Sequence, residues 1–215
     1  EYYVTLAITN SSIASNDFSL SYDYIGGRYD ELLRDDGDIH QGTVIWRHDY
    51  SPNVYTRLGI GPSYEKTENR DENWDWNGIA ELNYTMQHSN FGLLFEKGFT
   101  VDNFSGSRDR GFVNFWDARA VYNHDLTQNL GLRAELGYLF EERSDPLVAA
   151  GRLIATGTTI DEVGEDNLAE LESYDRERAR AGVGASYTFW RNFTASVDYF
   201  YFRQESDRFN DDYDD

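Results

Sequence analysis

Residues 74–87 read WDWNGIAELNYTMQ, and taking every second side chain separates two chemistries. Trp74, Trp76, Gly78, Ala80, Leu82, Tyr84 and Met86 fall on one face, and Asp75, Asn77, Ile79, Glu81, Asn83, Thr85 and Gln87 on the other. This is the period of a β-strand. The stretch is longer than the roughly five or six residues usual in soluble strands, and is long enough to cross a bilayer at a tilt, which takes about nine to eleven. One face suits lipid and the other suits water.

The same alternation returns on both sides of this stretch. Upstream, one face carries Tyr2, Val4, Leu6 and Ile8, and after a polar turn around Ser11 and Ser12 the next strand shows Phe18, Leu20, Tyr22 and Tyr24. Val44, Trp46, His48 and Tyr50 follow, then a tight turn at Ser51, Pro52 and Asn53, and then Leu58, Ile60, Pro62 and Tyr64. Downstream come Phe91, Leu93 and Phe95, then Trp116, Ala118, Ala120 and Tyr122, then Leu132, Ala134, Leu136, Tyr138 and Phe140. Ala179 to Phe189 and Phe193 to Tyr201 repeat the pattern twice more. The pattern predicts about ten antiparallel strands in a single domain over 1–215, an all-β transmembrane barrel or part of a larger one.

Alternation alone does not separate a soluble sheet from a membrane barrel, because apolar-in and apolar-out give the same string. Three other features point to the barrel. Connections alternate between short ones, at Ser51, His88, His124 and Arg191, and longer ones near Gly26, Thr67, Asp102 and Glu142, as periplasmic turns and extracellular loops do. Aromatic side chains gather at both ends of the apolar faces: Tyr50, Tyr84, Phe91, Tyr122, Phe189 and Phe193 beside short turns, and Tyr24, Tyr64, Trp74, Trp76, Phe140 and Tyr201 towards long loops. Two such girdles are what the two bilayer interfaces select. Finally, the polar faces carry Arg57, Glu81, Glu96, Asp117, Arg119, Arg133, Glu135, Arg178, Arg180 and Asp198, opposite charges that neighbouring strands bring together as a charged lumen lining. Inward Tyr55, Phe115, Phe200 and Phe202 offer rings for stacking against sugars.

Bulk composition agrees. Hydrophobic residues make up 40% and no apolar run approaches the roughly 18 residues of a membrane helix. Mean hydropathy is -0.69, a value an alternating barrel also gives because its apolar face is averaged away. A formal charge of -20 argues against a nucleic-acid partner. Without cysteine there is no disulfide, thiol nucleophile or thiolate metal site.

The strand, short turn, strand and charged loop order of NVYTRLGIGPSYEKTENRDENWDWNGIAELNYTMQHSNFGLLFEKGF (53–99) and NLGLRAELGYLFEERSD (129–145) resembles the outer-membrane β-barrel porins of exopolysaccharide-secretion systems associated with PEP-CTERM sorting. The resemblance spans most of the chain as a pattern and carries no invariant motif. It implies a Gram-negative outer-membrane location, surrounding lipid, and a role in passing polysaccharide or small hydrophilic solutes, with a surface or periplasmic secretion component as partner. A non-conducting barrel that docks such a partner through acidic loops is the alternative.

No catalytic residues, metal ligands or cofactor are expected. His48 with Asp49 and His124 with Asp125 are sequence neighbours that a strand points to opposite faces, whereas a base and its orienting acid must touch. Asp35, Asp36 and Asp38 lack the ligand spacing of a helix-flanked calcium loop and read as solvated. The excursion at 142–175 has a helix-compatible composition and is the candidate constricting or docking element. The chain opens directly on a strand and ends in an acidic loop, RFNDDYDD, which suggests a segment of a longer barrel.

Overall fold

The computed structural model describes residues 2–27, 36–67, 72–102, 111–143, 174–190, 193–206 and 213–214. The strands are β1 (Tyr2–Ile13), β2 (Asn16–Gly27), β3 (Gly37–Ser51), β4 (Val54–Thr67), β5 (Asn73–Thr85), β6 (Ser89–Asp102), β7 (Gly111–Asp125), β8 (Leu130–Arg143), β9 (Tyr174–Phe189), β10 (Phe193–Ser206) and a two-residue β11 (Tyr213–Asp214). They form one sheet in sequence order, with every pairing antiparallel. The all-β antiparallel expectation is borne out. Among the described residues the sheet is open, its outer strands being β1 and β11.

Strands β1 to β10 run 12 to 16 residues, longer than most soluble strands because alternation is never broken by a second turn signal. Several boundaries differ from the sequence reading. The first turn lies at Ala14 and Ser15, not around Ser11 and Ser12: the Ser12 amide donates to Asn10 Oδ1, the ladder shifts register there, and Ser15 takes the positive φ of 62° that the reversal needs. The segment 74–87 leaves the sheet at Thr85, where the Met86 amide donates to Ser89 O to close the turn. Within the acidic tail, Tyr213 and Asp214 pair with Gln204 and Arg203. Residues 144–173, which hold most of the long excursion and its helix-compatible part, lie outside the described residues, as do Asp35, Arg191 and Asn192.

Burial is inverted relative to a soluble fold. Among the described residues only four apolar side chains are buried, Ile25, Ile39, Phe99 and Val113, against eight polar or charged ones: Thr43, Ser63, Glu65, Asn77, Lys97, Glu135, Glu141 and Arg176. The apolar face stays exposed from Leu6 and Ile8 on β1, through Ile60 and Leu136, to Val197 on β10. A groove of about 740 Å³ crosses this face where Ala80, Ala118, Ala120 and Ala181 stand beside Leu93 and Leu136.

At the long-loop end the sheet folds over towards its polar face. β5 and β6 are paired from Thr85↔Asn90 to Gly78↔Lys97 and no further. Beyond that point the end of β6 lies beneath β3, where the Gln41 side-chain amide brackets the backbone of Phe99, accepting from its N–H at 3.3 Å and donating to its carbonyl at 3.1 Å. The Phe99 ring therefore packs with Ile25 and Ile39 of the polar face, although strict alternation aligns it with Phe95. The fold-over rests on a local defect in the β3–β4 ladder. Pro62 has no N–H to give, so the ladder opens opposite Gly42. Asn77 of β5 fills the opening, donating to the Gly42 carbonyl at 3.2 Å and the Pro62 carbonyl at 3.0 Å while accepting from Thr43 Oγ1 at 2.6 Å. A Cβ on Gly61 would overlap the Gly42 carbonyl, so only glycine fits there.

Candidate functional site

Register places all ten charges singled out in the sequence on one face. Arg57 pairs with Glu81, Glu96 with Asp117, and Arg119 with Gly137, which pairs with Arg180. Asp117 pairs with Leu139 and that with Arg178, while Arg133 pairs with Gly184 and that with Asp198. Glu135 sits on the same face, between Val121 and Gly182.

The charges fall into separate groups. On β3 to β5, Arg57 Nε lies 2.9 Å from Glu81, which also accepts the Tyr55 hydroxyl at 2.6 Å, and the Arg47 guanidinium stands 4.2 Å over the Tyr55 ring. On β7 to β9, Arg119 Nε donates to Asp117 at 2.8 Å, Arg133 donates to one Glu135 oxygen at 2.6 Å, and Arg180 donates to the other. Glu141 accepts from Arg176 Nε at 2.8 Å and pairs with Arg178 at 3.1 Å.

In the second group the carboxylates lie deep with Arg176, and the other guanidinium groups lie above them. Glu135 and Glu141 side chains are 6% and 8% exposed, whereas Arg133, Arg178 and Arg180 are 52%, 36% and 38% exposed. Burying a carboxylate this far requires full pairing, and two arginines reach each glutamate. A cleft of about 390 Å³ opens among Asp117, Arg119, Leu139, Arg178, Arg180 and Phe202. Gly182 leaves the room that the Phe200 ring occupies, and that ring stands 6.0 Å from Phe202.

The opposite face holds the aromatic residues in register. Tyr24, His40, Tyr64 and Trp74 form one row, with successive ring centroids 5.2, 5.9 and 4.7 Å apart. Trp76 meets Trp116 edge-on at 6.0 Å, and Trp116 pairs with Phe140. At the short-turn end Tyr84, Phe91 and Tyr122 share a row, and Tyr50 meets His48 at 4.4 Å. Phe189 and Phe193 cluster with Trp190, a residue the sequence reading passed over although it closes the same turn. Tyr201 pairs with Ala181 and belongs to the row beside that of Tyr122.

Lys97 was also missed. Alternation puts it on the apolar face beside Phe95, and the structure buries it between the Trp76 and Trp116 rings, at 4.8 and 5.7 Å, with its ammonium bound to Asp75 and the Trp76 carbonyl. Asn114 completes this cluster by donating to Asp75 at 3.0 Å. Of the histidines, His40 bonds the Tyr22 hydroxyl at 2.6 Å, His48 bonds Asn16 at 2.9 Å and His124 bonds Ser89 Oγ at 2.6 Å. All three lie on the aromatic face, His40 within the Tyr24 row and His48 and His124 against the Tyr50 and Tyr122 rings of their own strands. Among the described residues, no group of three or more His, Asp or Glu could hold a metal ion.

No protein-family model matches the chain, and no curated protein matches it. Among solved structures, the Pseudomonas putida toluene transporter TodX aligns with 94% of this chain and 67% of its own, at 8% identity and a TM-score of 0.42.

Proposed function

We propose that the chain forms the wall of an outer-membrane, transport-type β-barrel, its apolar face against lipid and its charged face along an aqueous path for polysaccharide or small hydrophilic solutes. The observation that carries this reading is the inverted burial: large apolar side chains exposed along one whole face while glutamate and arginine are buried on the other. In water that distribution leaves the hydrophobic effect nearly unused, whereas in a bilayer the exposed face is already in its preferred solvent. Aromatic rows at both ends of the apolar face support the same reading, since interfacial depth suits tyrosine and tryptophan. The porin resemblance agrees with a Gram-negative outer membrane and with an export role.

A second reading has its own support. The Gln41–Phe99 clamp and the mutual pairing of the arginines and glutamates fill space a solute would need, as in a plugged barrel that anchors a surface partner. Conductance separates the two. The full-length protein in planar bilayers is expected to give stable conductance steps. Insertion as a folded β-protein without conductance would overturn the transport reading in favour of the plug.

A further inference from the structure

We infer that the cleft across β7 to β10 binds a solute carrying a carboxylate, an inference that rests on the aqueous placement of the charged face. The chain as a whole is strongly acidic, at -20, and its field repels anions. The cleft reverses that locally by layering its charges. Of the acids, only Asp117 lines it, 14% exposed and held by Arg119, while Glu135 and Glu141, which hold Arg180 and Arg178 from beside the cleft, are each bound by two arginines and almost fully buried. What faces the opening is the guanidinium layer of Arg119, Arg178 and Arg180, each more than a third exposed.

Guanidinium groups in this setting have donors to spare, since each arginine carries five N–H donors and spends only part of them on its acid. A planar carboxylate matches the fork geometry that such donors present, and a point-like anion uses it less well. Phe202, on the same rim, is 38% exposed and offers a flat apolar wall for the body of the solute. The cleft, at about 390 Å³, fits a single small molecule or one sugar residue.

Two kinds of molecule bring this chemistry, an acidic sugar and an aromatic acid, and calorimetry on the detergent-solubilised full-length protein at low salt tells them apart. Glucuronate, benzoate, glucose and chloride are the probes. Carboxylate binding at one site is expected, with glucose and chloride at least about tenfold weaker. Tighter glucuronate assigns the site to acidic sugars, and tighter benzoate to aromatic acids. Arg119→Gln is expected to weaken the preferred probe about tenfold. Phe202→Ala, which removes no charge, is expected to weaken it as well while the thermal transition stays in place. Glucose binding as tightly as glucuronate, or carboxylate affinity unchanged in both variants, would overturn the inference. Conductance without carboxylate binding would overturn it and leave the pore standing, whereas carboxylate binding without conductance would uphold the site and overturn the pore.

Discussion

Leu136→Arg is expected to lower sharply the urea concentration at which the sheet unfolds in lipid vesicles. Leu136 is 62% exposed in the middle of β8, in register with Ala120 on one side and Ala181 on the other. On a water-facing surface, replacing so exposed a leucine changes stability by no more than about 0.5 kcal/mol. At the midplane of a bilayer an arginine on the lipid face costs about 2–4 kcal/mol, a large share of a marginal folding free energy. The matched control is Leu94→Gln, on the opposite face in register with Glu81 and Arg119, which is expected to fold within about 1 kcal/mol of the parent. Urea titrations of folding in vesicles read both. Equal tolerance of the two substitutions would contradict the lipid assignment of the apolar face.

The second large effect is expected at Asn77. Leucine is close to asparagine in shape, so Asn77→Leu leaves little cavity and isolates the polar loss. It strips the Gly42 and Pro62 carbonyls of the amide that bridges them and leaves the buried Thr43 hydroxyl without its acceptor. Each buried group left without a partner costs about 1–3 kcal/mol, so a total near 3 kcal/mol or more is expected. The damage falls where the sheet folds over, because the space a Cβ on Gly98 would take is bounded by Asn77 Cβ and the Gln41 amide. Hydrogen exchange is expected to show faster exchange of the Phe99 amide in this variant, with β8 and β9 protected as in the parent. Uniform protection would show that Asn77 does not hold the fold-over.

Strand number, strand order and the two-faced chemistry were legible in the sequence because each depends on a period of two that every strand repeats. The ten charges share a face for the same reason: parity along a strand, once register is local and hairpin-like, carries across the sheet. Pairing within that face was partly legible, since Arg133 with Glu135 and Asp117 with Arg119 are spaced two apart on single strands. Glu141 with Arg176 was not singled out, because the two are joined only by the β8–β9 register. Lys97 and Phe99 escaped for a different reason. Alternation assigns a side to each residue but assumes a continuous sheet, and β6 parts from β5 beyond Lys97. The one sequence signal for that break is Pro62 beside Gly61 in a strand otherwise fit for the middle of a sheet.

The most direct test of the central claim, that one face of the sheet meets lipid and the other meets water, is a nitroxide scan of β8. The chain has no cysteine, so single cysteines at 131 to 138, the buried Glu135 excepted, label cleanly. In reconstituted protein the labels at Leu132, Ala134, Leu136 and Tyr138 are expected to relax with oxygen, and those at Gly131, Arg133 and Gly137 with a water-soluble nickel chelate, the two accessibilities alternating out of phase. Accessibility to the chelate at every position, or the two signals rising and falling together, would contradict the account.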